Sequence, residues 1–265
     1  MSQKRLTFEI LMSCMNQKDL SLVKQSNVHS NVLLVNQCDK DATEELFREG
    51  QCIKMISSTE RGLSRSRNMA LRNTNADIIL LADDDEVFED NVENIILQGF
   101  ETTNADIMAF DLSNYPKKIK KKAHRLNRLE LLRVASCQIA CRTKALKEAK
   151  LEFDVNLGAG TPNGGGEESK LLWDAHKLGL KIYYCPVCIA SLREKESTWF
   201  DGFDKEYFYK RGRVTSYYMG DTFAFVYALY FLFVKHRMYK KDCCFREAFG
   251  SLMKGIRSEK DFSNI

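Results

Sequence analysis

The chain has 265 residues, 44% of them hydrophobic, which is enough to bury one sizeable core. Its 40 basic and 36 acidic residues leave a net charge of only +4, so the charge excludes a strongly basic protein and we expect no nucleic-acid partner. The apolar run near the N-terminus is interrupted by Glu9 and Ser13 and lacks a small-residue cleavage site, so we expect a cytoplasmic protein. Nine cysteines in such a chain predict reduced thiols.

Short apolar runs alternate with helix-like segments through the first half of the chain. The predicted strands are residues 6–14, 31–37, 52–58, 76–84 and 105–113. The predicted helices between them are residues 41–49, 63–72 and 91–100. This alternation is typical of βαβ units and predicts a mostly parallel sheet covered by helices. In such sheets, ligands bind at the carboxyl ends of the strands.

Three consecutive aspartates, Asp83, Asp84 and Asp85, directly follow the fourth predicted strand. Adjacent carboxylates repel one another, so a positive group is expected among them. A calcium loop fits poorly, because Phe88 stands where it needs glycine and Asn94 where it needs glutamate. Mg²⁺ or Mn²⁺ held by one or two carboxylates and by substrate phosphates fits better.

The cysteine spacing raises the alternative of a zinc site, because two pairs of cysteines could in principle supply four zinc ligands. The pairs are Cys137 with Cys141 and Cys185 with Cys188. Both lie in β-like apolar contexts, where cysteine is commonly a small buried hydrophobe. We therefore favour a structural interpretation of these residues.

A glycine-rich loop, residues 156–166, precedes a predicted helix that begins with Glu167 and Glu168, and a strand is predicted at 181–186. Capping alone could explain the acidic pair, because the helix dipole favours negative charge in the first turn. The glycines, however, would also allow backbone to approach a ligand closely. Both interpretations remain open.

The C-terminal part combines apolar, aromatic and basic segments. Residues 222–234 are apolar, but as a helix they would reach only about 20 Å, short of a bilayer core of about 30 Å. With the basic residues 235–241 they form either a membrane-interface helix or an ordinary buried helix. A basic block, residues 117–125, is either solvated surface or a patch for phosphate or anionic lipid.

The segment 193–213 mixes aromatic and cationic side chains. Aromatic faces suit sugar rings, and cationic side chains suit a diphosphate. Trp199 is our choice for an acceptor contact in this segment. The alternative is an amphipathic helix that packs its aromatic residues onto the core.

Three motifs occur in a fixed order along the chain. Residues 62–68 read GLSRSRN, residues 83–85 read DDD, and residues 165–168 read GGEE at the start of a helix. In order and spacing, over residues 6–186, this set resembles the family 2 glycosyltransferases of bacterial polysaccharide biosynthesis. Members of that family are inverting enzymes whose hallmarks are an "ARN"-like segment, a DXD motif and a "GED"-like motif.

The resemblance implies an α/β GT-A fold, in which a mostly parallel, Rossmann-like sheet is flanked by helices. It implies a catalytic domain over residues 1–198. Residues 199–265 would form a helical, aromatic and basic extension that contacts the acceptor or the membrane surface.

The resemblance also implies roles for individual residues. Asp85 would bind Mn²⁺ or Mg²⁺ directly, and Asp83 would contact the ribose or metal-bound water. Glu168 would be the general base, although Glu167 remains a candidate. The implied nucleotide-sugar contacts are Asn16, Asn36, Asp39, Arg67, Asp83 and Asp84, and the implied acceptor contacts are Gly165, Gly166 and Trp199.

Two departures from the family pattern have consequences. The usual "DDGS" after the second strand is replaced by residues 36–39, NQCD, so the base-contacting residue and the preferred nucleotide stay open. Many relatives carry a metal-binding histidine after the last core strand, but residues 187–192 contain none. The metal would then be held by Asp85, the diphosphate and water, or by a ligand further along.

The resemblance implies a metal-dependent, inverting transfer from a nucleotide-diphosphate sugar, most simply a UDP-sugar. The acceptor would be a hydroxyl of a glycan or lipid-linked molecule, with an additional peripheral contact at the inner face of the cell membrane. Two alternatives stay open: a sugar-1-phosphate nucleotidyltransferase, which would normally carry a basic glycine-rich loop after the first strand, and a non-catalytic partner that binds nucleotide-sugar or lipid.

Overall fold

The computed structural model describes residues 5–115, 119, 122–193 and 202–260. Trp199 therefore lies outside the described residues, as do the expected domain boundary at residues 198–199 and part of the basic block at 117–125.

The described residues form ten strands and ten α-helices. The strands are β1 Phe8–Met15, β2 Val32–Gln37, β3 Ala42–Arg48, β4 Gln51–Ser58, β5 Ile78–Asp83, β6 Glu86–Phe88, β7 Ile107–Leu112, β8 His124–Arg125, β9 Ile139–Arg142 and β10 Ile182–Leu192. The helices are α1 Ser21–Gln25, α2 Leu63–Asn73, α3 Val92–Thr102, α4 Arg128–Leu131, α5 Thr143–Glu148, α6 Glu167–Lys177, α7 Lys205–Met219, α8 Asp221–Val234, α9 His236–Tyr239 and α10 Phe245–Arg257.

The strands form one sheet in the order β3-β4-β2-β1-β5-β9-β7-β10-β6, with β8 paired to β10. β4, β2, β1 and β5 are parallel, as are β7 and β10. β9 is antiparallel to its two neighbours, β5 and β7, and β3 and β6 are antiparallel at the edges. The predicted α/β architecture, a central sheet flanked by helices with a helical C-terminal region, is confirmed, although the sheet is mixed rather than mostly parallel.

The central strands are buried on both faces because helices cover both sides of the sheet. Along β5, Ile78 and Leu80 belong to one hydrophobic cluster with α3, while Ile79 and Leu81 belong to the opposite cluster with α2 and α6. Successive strand residues point to opposite faces, so a continuous apolar run supplies both clusters. This is why strand β5 carries its polar groups only at its carboxyl end.

The prediction of a helix at residues 41–49 is wrong. This segment is strand β3, which pairs antiparallel with β4 along its whole length. The turn between them is Glu49-Gly50, and both residues have positive φ, 53° and 82°. That is the backbone of a two-residue hairpin turn whose twist matches the strands. Backbone pairing at the edge of the sheet overrides the helix propensity of the Glu- and Leu-containing sequence.

Helices α7, α8 and α10 pack around a hydrophobic cluster of their own, which includes Phe208, Phe231, Tyr239 and Leu252. A smaller cluster joins this region to the sheet, because Trp173 of α6 packs with Val214 and Tyr218 of α7. Among the described residues, no helix combines the length and the apolar composition that crossing a membrane requires.

Candidate active site

The three aspartates lie at the carboxyl end of β5, as the sequence predicts. Asp83 is the last residue of the strand and is paired in register with Ser13 of β1. Asp84 and Asp85 form the turn into β6. Arg193, just after β10, stabilises this turn: its backbone N–H donates to the Asp85 carbonyl at 2.7 Å, and its guanidinium donates to the Asp84 carbonyl at 3.3 Å. Sequence reasoning did not single out Arg193.

A buried arginine connects the aspartates to the acidic pair. Nη2 of Arg67 donates to both carboxylate oxygens of Asp83, at 2.8 and 3.1 Å, and Nη1 donates to Oε1 of Glu167 at 2.9 Å. Burial lowers the pKa of Arg67, but the charges of Asp83 and Glu167 outweigh burial and leave it raised. The motifs that contain these three residues, far apart in sequence, therefore meet at one cation.

Arg67 is 2% exposed, so its guanidinium is directed at protein carboxylates rather than at solvent. The sequence-based expectation of a direct nucleotide contact by Arg67 stays a prediction, and in the structure its hydrogen bonds go to Asp83, Glu167 and Ser136. Arg67 orders Asp83 and Glu167, because a guanidinium holds carboxylates in a fixed planar geometry.

A fourth carboxyl group, Glu86, lies buried beside the aspartates. Oε1 of Glu86 accepts a hydrogen bond of 2.9 Å from the Asp83 backbone N–H. Burial, followed by the charge of Asp83, raises the pKa of Glu86 well above its ordinary value. A neutral Glu86 adds no further repulsion to the three aspartates. Sequence reasoning missed this residue, because burial cannot be read from a run of acidic letters.

The two residues of the acidic pair have different surroundings. Glu167 is buried and engaged by Arg67. Glu168 is partly buried and lines a cleft of about 440 Å³. The pKa of Glu168 is raised to about 8, first by burial and then by the adjacent Glu167 carboxylate, while backbone hydrogen bonding and Arg67 oppose the shift. A carboxylate of raised pKa at a cleft is the arrangement that a general base requires.

The cleft lies between the glycine-rich loop and helices α7 and α8. Gly165 and Gly166 line it together with Glu168. Gly166 has φ of 101°, and a Cβ atom there would lie 2.8 Å from Cγ1 of Val214 on α7. Only glycine therefore lets the loop turn into α6 while packing this closely on α7.

The residues predicted to read the nucleotide lie at the ends of β1 and β2, but Asn36 does not face a cleft. It is fully buried, and its side-chain amide exchanges two hydrogen bonds of 2.9 Å with the backbone of Gln17. Asn36 thus holds the loop after β1 in position through its two hydrogen bonds to Gln17.

Asn16 and Asp39, in contrast, are exposed. Asn16 has a left-handed backbone with φ of 53°. Oδ1 of Asp39 accepts from Nη2 of Arg61 at 2.5 Å, which places a cation at the same edge. Both residues remain accessible to a ligand at the carboxyl end of the sheet.

The donor set at the turn fits a hard divalent cation bound with substrate. Asp83 and Asp85 offer carboxylate oxygens at a partly exposed strand end. Within the described part of the chain, no three His, Cys, Asp or Glu side chains are grouped to hold a metal ion by themselves. Mg²⁺ and Mn²⁺ sites built from one or two carboxylates and substrate phosphates need no third protein ligand.

The fold is that of a GT-A glycosyltransferase, as the sequence predicts. The family model for glycosyl transferase family 2 matches residues 20–153, just over half of the chain, so this protein belongs to that family and is a glycosyltransferase. None of the curated proteins matches the chain.

Solved structures of S. aureus TarS are similar in fold. TarS 1-349 in complex with UDP has 14% sequence identity and a TM-score of 0.65, over 95% of this chain and 81% of that chain. The complex of TarS 1-349 with UDP-GlcNAc has 13% identity and a TM-score of 0.60, over 98% and 73%. A further structure of S. aureus TarS has 14% identity and a TM-score of 0.59. The match to it spans 98% of this chain but only 44% of that chain.

Proposed function

We propose that this glycosyltransferase moves a sugar from a UDP-sugar to a hydroxyl group of a glycan or lipid-linked acceptor, with inversion at the anomeric carbon. The observation that carries the proposal is the pair of carboxylate sites joined by Arg67: Asp83 on one side, and Glu167 next to Glu168 on the other. Departure of the nucleoside diphosphate and removal of the proton from the acceptor hydroxyl need separate acidic groups, and the two groups must lie close together.

The donor would bind along the carboxyl end of the sheet. Asp83 and Asp84 would contact the nucleotide-sugar, and Asn16 and Asp39 would contact the base and ribose. The bound UDP-GlcNAc and UDP of the TarS structures support a uridine donor, since those proteins share this fold. The buried Asn36 and Arg67 would hold the loop after β1 and the Asp83 carboxylate in position.

Asp85, with Asp83, would hold Mn²⁺ or Mg²⁺. When bound, the cation neutralises charge that develops on the leaving diphosphate. Two arginines of the protein hold this site in place: Arg67 orients Asp83, and Arg193 stabilises the turn between β5 and β6. Both contacts are in place before substrate arrives, so little reorganisation is needed during the reaction.

Glu168 would act as the general base. Glu167 is engaged by Arg67, whereas Glu168 lines the cleft in which an acceptor can lie. Glu168 would take the proton of the acceptor hydroxyl as that oxygen attacks the anomeric carbon opposite the leaving diphosphate. Gly165 and Gly166 would allow the acceptor to approach the backbone here. Such base catalysis typically contributes about 10²–10⁴-fold to the rate.

We assign residues 1–198 to the catalytic domain and residues 199–265 to a region for acceptor and membrane-surface contacts, with Trp199 as an acceptor contact. Helix α8 supports the membrane assignment, because Val226, Tyr230 and Phe233 are exposed at helical spacing on its surface. Basic residues follow directly at 235–241. Exposed apolar groups beside cations suit the interface of an anionic membrane. We therefore propose a peripheral position at the inner face of the cell membrane and a role in surface polysaccharide or glycolipid synthesis.

Replacement of Glu168 by glutamine tests the base. We expect UDP release from UDP-GlcNAc, with water or an added glycan as acceptor, to fall by about 10²-fold or more while UDP binding is unchanged. Glu206→Gln is the matched control, because Glu206 lines the same cleft but is paired with Lys210. Equal turnover in the Glu168 variant and the wild type would remove Glu168 from the mechanism.

The pH dependence of turnover is an independent test of Glu168 as the general base. A general base works only when deprotonated, so turnover of the wild type should rise with pH through the raised pKa of Glu168, about 8. The Glu168→Gln variant should lack this rising limb, and a limb that persists in the variant would belong to another group.

A further inference from the structure

The cleft beside Glu168 contains a cation that the proposed mechanism does not use. Nη1 of Arg211 donates to the Tyr207 hydroxyl at 2.9 Å, and Nη2 donates to the Tyr227 hydroxyl. The guanidinium also lies 4.2 Å from the centre of the Phe231 ring. All of these partners are neutral, and Arg211, Tyr207 and Tyr227 line the cleft.

Arg211 has no acidic partner among the residues that the structure describes. Its Nε is buried and has no hydrogen-bond acceptor within that part of the chain. Aromatic faces and hydroxyl groups stabilise a cation only in part, and a desolvated charge without a counterion is costly. The position therefore favours an anion that arrives with a ligand.

The other charged groups on this wall already have protein partners. Glu206 is paired with Lys210 at 2.8 Å. The Asp204 carboxylate caps α7 by accepting from the Tyr207 backbone N–H at 2.7 Å. Glu168 lines the same cleft, but the described part of the chain shows no ion pair between it and Arg211. Arg211 is thus an available positive charge close to the proposed base.

The neighbouring tyrosine adds a donor to this cation. The Tyr227 hydroxyl accepts from Arg211, so its own proton is directed away from the guanidinium. A hydroxyl proton next to an arginine is an arrangement suited to an oxyanion, which needs several donors at once.

We propose that Arg211 and Tyr227 form an oxyanion subsite that binds a phosphate or carboxylate group of the acceptor. The subsite would fix the acceptor so that its nucleophilic hydroxyl faces Glu168, and it would make the enzyme specific for anionic acceptors. This inference rests on the proposed function, because it takes the cleft to be the acceptor site.

Binding of inorganic phosphate and of acetate, measured by NMR titration in the presence of saturating UDP and Mg²⁺, tests the subsite. UDP occupies the donor site, so the remaining anion binding reports on the cleft. We expect the wild type to bind at least one of the two anions, and the preference between them distinguishes a phosphate from a carboxylate acceptor. Arg211→Gln should weaken that binding by at least about tenfold.

Tyr227→Phe provides a second variant that keeps the ring and removes only the hydroxyl donor. We expect it to weaken anion binding with UDP affinity unchanged. Tyr230→Phe is its matched control, because Tyr230 stacks on Tyr227 but is exposed and does not line the cleft. Anion binding that is absent from the wild type, or equal in wild type, Arg211→Gln and Tyr227→Phe, would overturn the subsite. A failure of UDP itself to bind would instead contradict the proposed donor.

Discussion

At the residue scale, Glu86 explains how three aspartates can follow a buried strand. Its carboxyl group is fully buried, and burial, followed by the charge of Asp83, raises its pKa well above the ordinary value, which favours the neutral form. Arg67 supplies the positive charge that Asp83 needs. The charge balance of the turn therefore depends on one neutral acid and one buried cation before any ligand is bound.

The raised pKa of Glu86 predicts a pH-dependent effect of Glu86→Gln. In the unfolded chain the carboxyl group ionises near its ordinary pKa of 4.5, whereas in the folded protein it ionises only at higher pH. The wild type therefore loses stability as pH rises above about 4.5, and the glutamine variant does not. Urea unfolding without divalent cations should show similar stabilities at pH 4 and a more stable variant at pH 8. A constant difference at all pH values would contradict the neutral acid.

Arg67→Gln should be strongly destabilising, because it leaves Asp83 and Glu167 without their counterion. We expect a loss of about 3–5 kcal/mol in the free energy of unfolding. Arg72→Gln on the same helix is the control: its pair with Glu152 is exposed, so the loss should stay below about 1 kcal/mol. Similar effects for the two variants in urea unfolding would show that the buried link is not structurally important.

Much of the site could be predicted from the spacing of its motifs, because the strand end, the DDD run and the acidic helix start are local patterns. Burial is not local. Asn36 and Arg67 were assigned to the nucleotide from their positions in the motifs, yet both are buried and bonded to protein groups. Arg211 carries no motif at all, and only the packing of α7 against α8 shows its unbalanced charge.

At the element scale, the sheet was predictable where strands are buried and less so at the edge. Strands β2, β5 and β7 are buried along nearly their whole length and are apolar except at or near their carboxyl ends, because helices cover both faces of the sheet. Strand β3 is mostly exposed, so no apolar pattern marks it. The signal that could have identified it is Gly50, which, after Glu49, closes a two-residue hairpin turn.

The crossing of α7 and α10 depends on two glycines that allow the backbones to approach. A Cβ atom at Gly255 would lie 2.1 Å from the Tyr209 carbonyl oxygen, and one at Gly212 would lie 2.3 Å from that of Leu252. Gly255→Ala should therefore destabilise the protein by about 1–3 kcal/mol. Gly250→Ala in the same helix meets no atom within 4 Å and should stabilise it by about 0.5–1 kcal/mol. Thermal unfolding should shift in opposite directions, and equal shifts would contradict the close crossing.

At the scale of the whole molecule, the C-terminal helices give the catalytic sheet both a cleft and an apolar surface. The cleft forms where the glycine-rich loop meets α7, and the exposed face of α8 is on the same group of helices. If α8 contacts a membrane as proposed, an acceptor held in that membrane would lie on the side of the molecule that carries the cleft.

Vesicle co-sedimentation tests this membrane surface. Phe233→Asp should weaken binding to vesicles that contain phosphatidylserine by at least about tenfold, because it places a negative charge between apolar and basic groups. Phe47→Asp is the control, since Phe47 is equally exposed but lies on edge strand β3. Equal binding by both variants, or preference for neutral vesicles, would remove the membrane assignment.

Calorimetric titration of UDP with and without Mn²⁺, on the wild type and on Asp85→Ala, tests the central claim most directly. We expect UDP to bind the wild type with an affinity that rises when Mn²⁺ is present, and we expect Asp85→Ala to abolish this rise. UDP binding that ignores both the metal and the substitution, or no binding at all, would contradict a metal-assisted diphosphate site at the three aspartates.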